Sequence, residues 1–440
     1  MRALFCYLTA LVALVAGLGA WGKPVGGART LVVLEKLEDK TEFGTFLKSL
    51  EDRGHRLSFK SASEDDFGLV AYEERRFDHF LVLAPAVATF GGQLGVGNVL
   101  DFIDKGGNVL VATSSDISDA IRDLTYEFSA DFDEAGSAVI DHFHAVNDDH
   151  TLIAASDFIG NDVAVPPVVK QGPPVLFRGV AHRLTGKNPL AQPLLVGAPT
   201  AYSYEANDQN PVEVNLIVGK EVVLVSSLQA RNNARVVFAG SVDMFSDKLI
   251  DAPVKSGDKQ HQKSGNLPFI TALSKWVFQE TGVLNVNSKK HHRENETAQH
   301  GIYRIKDDMV FEITISEWRD GEWHPFTPTD MQFEAVMLDP YIRTNLVPQQ
   351  SGTLTAHFKL PDHYGVFIFK VDYKRHGYSY IHEAETVQIR PFRHDQYPRF
   401  LSPAWPYYVN VFSLMVAFVL FSGVFLWNRD VGSKVKVKTT

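Results

Sequence analysis

Hydrophobic positions along this chain follow three rhythms in succession. In the first, short apolar runs alternate with segments of helical period. Thr30–Glu35 (TLVVLE) has the unbroken apolar character of a strand buried on both faces. Thr41–Glu51 follows, with Phe43, Phe46, Leu47 and Leu50 at helical spacing and Gly54 as its stop. His55–Lys60 and Phe77–Ala84 (FDHFLVLA) read as the next two strands, and Val99–Lys105 as a helix ended by Gly106 and Gly107. Asn108–Thr113 (NVLVAT) is a fourth strand. Apolar strands alternating with helices predict a parallel sheet covered on both faces, hence a Rossmann-like or flavodoxin-like α/β domain over residues 23–284. Its closing parts come late: strands at Glu221–Leu228 and Arg235–Gly240, and an amphipathic helix at Phe269–Thr281. Between them, residues 128–210 are rich in proline and turn residues and predict a β-rich insert.

The second rhythm is strict alternation. Leu354, Ala356, Phe358 and Leu360 alternate with polar neighbours, as do Phe311, Ile313 and Ile315, and turn pairs such as Asp320-Gly321 and His376-Gly377 separate the runs. Residues 302–392 therefore predict an antiparallel β-sandwich of immunoglobulin-like shape. Residues 285–301 (NVNSKKHHRENETAQHG) have no apolar period and read as a linker, and 393–406 as a stalk. The third rhythm is no rhythm at all. Val409–Trp427 (VNVFSLMVAFVLFSGVFLW) is apolar all round and, at 1.5 Å per residue, about 28 Å long, enough to cross a bilayer. With Trp405, Tyr407, Tyr408 and Trp427 at its ends, residues 407–427 are expected to be a single transmembrane helix, followed by a tail, 428–440.

Orientation comes from the other terminus. Residues 1–22 carry Arg2, an apolar run from Ala3 to Leu18, then small residues with cleavage after Ala20 or Gly22, the layout of a secretory signal. A single-pass type I protein is expected, its bulk luminal and its C-terminus cytosolic. The one cysteine, Cys6, lies in the signal, so the mature chain is expected to hold no disulfide, thiolate nucleophile or cysteine metal site. A net charge of −9 argues against nucleic acid as a partner.

Candidate chemistry is sparse. Gly91–Gly97 (GGQLGVG) departs from a dinucleotide fingerprint in its spacing. The Asp131-Phe132-Asp133 triplet has the D-x-D spacing of some metal sites, but such a triplet is expected by chance in so acidic a chain. His291, His292 and His300 fall in the presumed linker, where ligands are poorly preorganised, and His142 with His144 would share one strand face. No catalytic, cofactor or metal residue is therefore assigned. Ser114, Ser115 and Asp116 follow the fourth strand, at the sheet end where α/β folds bind ligands, and form a weak candidate for a ligand surface. Asn295-Glu296-Thr297 is the single N-x-S/T sequon and makes Asn295 a glycosylation candidate. Lys436 and Lys438, fifth and third from the end, have the spacing of a dilysine retrieval signal.

Several long strings carry a resemblance: GGNVLVATSSD (106–116), LFRGVAH (176–182), ARVVFAGSVDMFSD (234–247), EWHPFTPTDMQFEAVMLDPYIRTNL (322–346) and HYGVFIFKVDYKRHGYSYIHEAETVQIRPF (363–392). From signal to tail the chain resembles the 48-kDa subunit family of the oligosaccharyltransferase complex. The resemblance implies a non-catalytic subunit of the endoplasmic-reticulum assembly that transfers a dolichol-linked oligosaccharide to Asn in N-x-S/T acceptors. Its partners would be the other subunits, including a multi-spanning catalytic one, and membrane lipid. It also implies a glutamine-amidotransferase-like N-terminal fold, whose enzymes use a Cys nucleophile that the mature chain lacks. The alternative is an independent luminal glycan-binding protein or enzyme using the sheet end near Ser114.

Overall fold

The computed structural model describes residues 27–427 except 63–67, 87–94, 147–148, 161, 187, 206–216, 257–258, 320, 350, 398 and 400. The expected signal (1–22) and tail (428–440) lie outside the described residues.

Residues 27–282 are built on one ten-stranded mixed sheet. Strands β1 (Arg29–Leu34), β2 (Arg56–Ser61), β3 (His79–Leu83) and β4 (Asn108–Ala112) follow one another in the chain, and β5 (Val223–Gln229) and β6 (Arg235–Ala239) return far later. In space β6, β4, β3, β1 and β2 lie side by side and parallel, while β5 joins β6 antiparallel. Five parallel strands need both faces covered, and alternate side chains show how that is done. Val32, Leu34, Leu81, Leu83, Val237 and Ala239 face helices α1 (Gly44–Asp52) and α4 (Asn266–Val277). Leu31, Val33, Phe80, Val82, Val236 and Phe238 face α2 (Val96–Asp104) and α3 (Asp119–Glu127). The strands at 130–132, 157–158, 182–184 and 191–196 belong to the same large sheet, so the proline-rich stretch 128–210 extends the sheet as well as building small sheets of its own.

Residues 283–390 hold two five-stranded sheets over one core. The first contains β7 (Val283–Arg293), β8 (Asp308–Arg319) and, further along the chain, β11 (Thr353–Lys359). The second contains β9 (Gln332–Met337), β10 (Asp339–Asn345), β12 (Gly365–Tyr373) and β13 (Ile381–Arg390). Phe311 of β8 lies 4.6 Å from Phe333 of β9, ring to ring, which joins the two sheets at their centre.

The presumed linker is the clearest correction. Residues 283–293 form an eleven-residue strand paired antiparallel with β8 from Val283↔Trp318 to Arg293↔Met309. Its period escapes notice because a register shift between Val286 and Ser288 breaks the alternation, and because its inward position 291 is a histidine. The last element, α5 (Trp405–Leu426), runs 22 residues, about 33 Å at 1.5 Å per residue, with no buried residue. Among the described residues it is the one helix long and apolar enough to cross a membrane, which is compatible with a single-pass membrane protein.

The two parts meet at a buried arginine. Arg235 opens β6 with no solvent exposure. Its Nη1 donates to the carbonyls of Trp276 and Thr281, both at 2.7 Å, and its Nη2 to those of Gly282 (2.8 Å) and Gly377 (3.1 Å). The Trp276 ring lies under the guanidinium at 4.9 Å, and its Nε1 donates to the same Gly377 carbonyl at 2.9 Å. Gly282 has φ +68°, and a Cβ there would collide with the Gly377 carbonyl, so the junction admits only glycine. Replacing Arg235 by Met takes the guanidinium donor from the buried Thr281 carbonyl and one donor each from those of Trp276, Gly282 and Gly377, which keep Gln279 N–H, Ser379 N–H and Trp276 Nε1, and is expected to cost about 1–3 kcal/mol of unfolding free energy. Denaturant melts of the full-length chain check this; a loss under about 1 kcal/mol would show that the carbonyls find other partners.

Candidate functional site

At the C-terminal ends of the parallel strands, Ser114, Ser115 and Asp116 form the turn that passes β4 to α3. Ser114 Oγ accepts from the Asp116 N–H at 3.2 Å, and the Ser115 carbonyl accepts from Gly136 N–H at 2.8 Å. Ser118 then caps α3 through its Oγ, which accepts from Ile121 N–H. The serine groups are thus engaged in local turn chemistry, and Asp116 is exposed. Of the glycine-rich run, 91–94 lie outside the described residues, and Gly95 is the residue from which α2 starts. Asp131 is exposed on its short strand, whereas Asp133 accepts from Ser203 Oγ at 2.6 Å. Among the described residues no three His, Cys, Asp or Glu side chains gather as a metal site.

The histidines move furthest from expectation. His142 and His144 lie beyond the strand Ser137–Ile140, exposed on a bend rather than on a strand face. His142 pairs with Tyr202 OH at 3.1 Å, and His144 Nδ1 with the buried Asp141 carboxylate at 2.8 Å. His291 is only 3% exposed, with Nδ1 against Tyr303 OH at 2.8 Å and Nε2 within 2.9 Å of Gln299 Nε2. His300 Nε2 meets Glu296 at 2.6 Å, and Arg293 holds the same carboxylate at 3.2 Å. Asn295 stands exposed on the turn these ion pairs brace, directly after β7. Lys436 and Lys438 lie outside the described residues.

A cleft of about 390 Å³ opens at the opposite, N-terminal ends of the parallel strands, where the two parts of the molecule meet. Its first wall is polar. Glu280 Oε1 accepts from His55 Nε2 at 2.7 Å and from Arg53 Nη1 at 3.1 Å, while His55 Nδ1 meets Thr30 Oγ1 at 3.1 Å. His79 Nδ1 accepts from Asn108 Nδ2 at 3.2 Å and stacks on Phe278 at 4.6 Å. Trp318 and Trp323, from β8 and the strand Glu322–Pro325, form the facing wall. Sequence reasoning passed over His55, His79 and Glu280. The one available sign was a histidine at the entrance to each of two strands, the mixed β2 and the apolar β3.

Burial decides the charge of two histidines. Desolvation, with His55 as a neighbour, lowers the pKa of His79 to about 3. Desolvation alone lowers that of His182 to about 3; its Nε2 is 2.7 Å from Ser226 Oγ and its ring stacks on Phe132 at 4.5 Å. Both are neutral polar members of the core near pH 7.

These features define a sheet-rich scaffold with, among the described residues, one bilayer-compatible helix, in which the clusters of titratable groups bind one another. The family described as OST48, N-terminal domain, matches residues 22–280, and OST48 middle domain matches 291–429. Three relatives carry the name dolichyl-diphosphooligosaccharide--protein glycosyltransferase 48 kDa subunit. The Danio rerio protein is 41% identical over 92% of this chain and 93% of its own length. The Arabidopsis thaliana protein is 41% identical over 91% and 93%, and the Caenorhabditis elegans protein 39% identical over 92% and 94%. The chain belongs to this 48-kDa subunit family. A solved ThuA-like protein from Parabacteroides merdae aligns with 57% of this chain and 90% of its own at 12% identity and a TM-score of 0.30, too loose a likeness to argue from.

The buried histidines set a pH dependence. A base whose folded pKa is depressed binds more protons when unfolded, so its contribution is present above the unfolded value of 6.5 and is lost as pH falls toward 3. At pH 5.5 each histidine is expected to cost about 1.4 kcal/mol. Thermal melts between pH 7 and 5 should show the midpoint falling, and His182→Gln should flatten that slope; equal slopes in the two proteins would count against the assignment.

Proposed function

We propose that this chain works as a non-catalytic structural and recognition subunit of the oligosaccharyltransferase complex, supporting transfer of a dolichol-linked oligosaccharide to Asn in N-x-S/T acceptors. The observation that carries the reading is family membership across nearly the whole chain. In this role α5 anchors the protein in the endoplasmic-reticulum membrane and packs against helices of other subunits, the multi-spanning catalytic one among them. Asn410, Ser413 and Ala417 fall on one side of α5, where small and polar side chains favour close helix approach. The described residues from 27 to 282 form a luminal Rossmann-like domain whose β-rich insert shares the main sheet. Residues 302–392 form a β-sandwich, to which the strand 283–293 also belongs. That assignment is supported by five parallel strands under four helices and by two sheets over one core. The reading of Ser114–Asp116 as the site of an independent glycan-binding protein or enzyme is less favoured, because those residues are occupied in a turn.

Purification of the tagged chain from gently solubilised microsomes is expected to recover the catalytic subunit in near-equal amount, and depletion to leave sequons under-occupied. Recovery of the chain alone, with normal occupancy, would sink the role. Two sites refine it. Asn295→Gln should remove one endoglycosidase-sensitive mobility shift, since the acceptor stands exposed on a braced turn. Replacing Lys436 and Lys438 by Ala should let a fraction of the protein reach later compartments, read as endoglycosidase-H resistance of that glycan; full sensitivity in both forms would remove the retrieval role.

A further inference from the structure

The edge of the second sheet from which the chain departs toward α5 carries an exposed apolar rim. β13 runs toward the stalk, and Gly365 at the start of β12 pairs with Ile389 near its end. On the neighbouring strand Val336 pairs with Ile368, so the β9–β10 turn lies at that same edge. The Gly365 backbone packs so close to Met337 that a Cβ would stand 2.8 Å from its Sδ. Leu338, Tyr364, Val366 and Tyr341 are therefore neighbours at one end, exposed by 100%, 68%, 54% and 41%. Leu338 is the tip of the turn and has φ +65°, a left-handed conformation that favours glycine or asparagine over leucine. A strained backbone that holds a large apolar side chain wholly in water points to a function for that side chain rather than to packing.

The stalk limits what this edge can face. Arg390 Nη1 donates to Gln396 Oε1 at 2.9 Å, Gln396 N–H donates to the Arg393 carbonyl at 2.9 Å, and Phe392 and Tyr397 are in ring contact at 5.4 Å. Arg304, paired in register with Arg390, covers Phe392 at 5.4 Å. The chain is thus still folded against this end of the sheet at Tyr397. From there to Trp405, the aromatic start of α5, it reaches at most about 28 Å even if fully extended, and Ser402–Ala404 is already a helical turn.

We propose that this rim is a second membrane contact, in which Leu338 and Tyr364 enter the headgroup and upper acyl region of the bilayer that α5 crosses. The inference rests on the single-pass reading of α5. Tyrosine favours the headgroup layer and leucine the acyl boundary just below it, so the two side chains suit one interface. With a spanning helix and a lipid-dipped sheet edge, the body is tethered at two points and cannot swing freely about its stalk.

The test uses the full-length chain, with Cys6 replaced by Ser, reconstituted in phosphatidylcholine nanodiscs. L338C, Y364C, M415C and Y72C each carry an environment-sensitive fluorophore, and lipids bearing a nitroxide near the glycerol or deep in the acyl chain serve as quenchers. The shallow nitroxide should quench L338C and Y364C at least about twofold more than Y72C, and the deep one should quench M415C. Quenching of M415C alone overturns the rim contact and leaves the spanning helix standing. No quenching of M415C removes the spanning reading and the proposal with it. Shielding of L338C and Y364C from aqueous iodide without quenching by either lipid assigns the rim to a protein contact instead. L338G, which suits the left-handed backbone, should keep the thermal midpoint while weakening quenching at Y364C, which separates membrane contact from folding.

Discussion

The guanidinium of Arg235 sits where two separately cored parts of the molecule touch, and it gathers buried backbone carbonyls from both. Helix α4 ends at Val277, and the chain must turn through Thr281 and Gly282 to begin β7. The turn leaves peptide carbonyls pointing inward at the place where Gly377 arrives from the other part. One planar group with donors on two nitrogens serves all four, which an ammonium or an amide could not do in the same space. Burial holds the Arg235 pKa down to about 9, still charged near neutral pH, so the carbonyls are met by charge-assisted bonds. The charge has no carboxylate within that set of bonds; its compensation is the carbonyl cage and the Trp276 ring.

That contact organises its surroundings. Asn108 Oδ1 accepts from the Arg235 N–H at 2.9 Å, and Gln279 Nε2 donates to Asn108 Oδ1 at 3.2 Å, so the polar starts of β4 and β6 are tied to the end of α4. Gln229 Nε2 donates to the Tyr378 carbonyl at 2.7 Å, and Tyr380 N–H to Asn233 Oδ1 at 2.6 Å, adding two more bonds across the junction. The cleft with His55, Glu280 and the two tryptophans is the residual space beside this lock. Its charged groups are consumed in mutual bonds, which fits a member of a subunit family better than a reaction centre.

The parallel strands were legible from sequence because their signal is local: β3 and β4 are buried at every position, and an apolar run says so wherever it lies. The alternating strands β8 and β11 were legible for the same reason. β7 was not, because its polar residues are satisfied by partners distant in the chain or hidden by a register shift. Lys289 reaches Glu383 at 3.0 Å, and His291 lies against Tyr303. Helix α3 was missed because its apolar stripe is narrow, Ile121 and Leu124 among many polar residues. Among the candidate residues, exposure of Asn295 followed from a polar context, whereas the turn chemistry of Ser114 to Asp116 appeared only with Gly136 and Ser118 in place.

By itself, then, the sequence determined a bilayer-compatible helix, an absence of cysteine chemistry outside Cys6, and the change from buried parallel strands to half-buried alternating ones. Each depends on residue type and spacing alone. Tertiary structure decided which charges are buried, that Arg235 bridges the two parts, and that Leu338, Tyr364 and the stalk share one edge. Those facts depend on contacts between residues tens to hundreds of positions apart. No local pattern encodes them, because a polar residue reads the same in a chain whether water or a distant carbonyl will satisfy it.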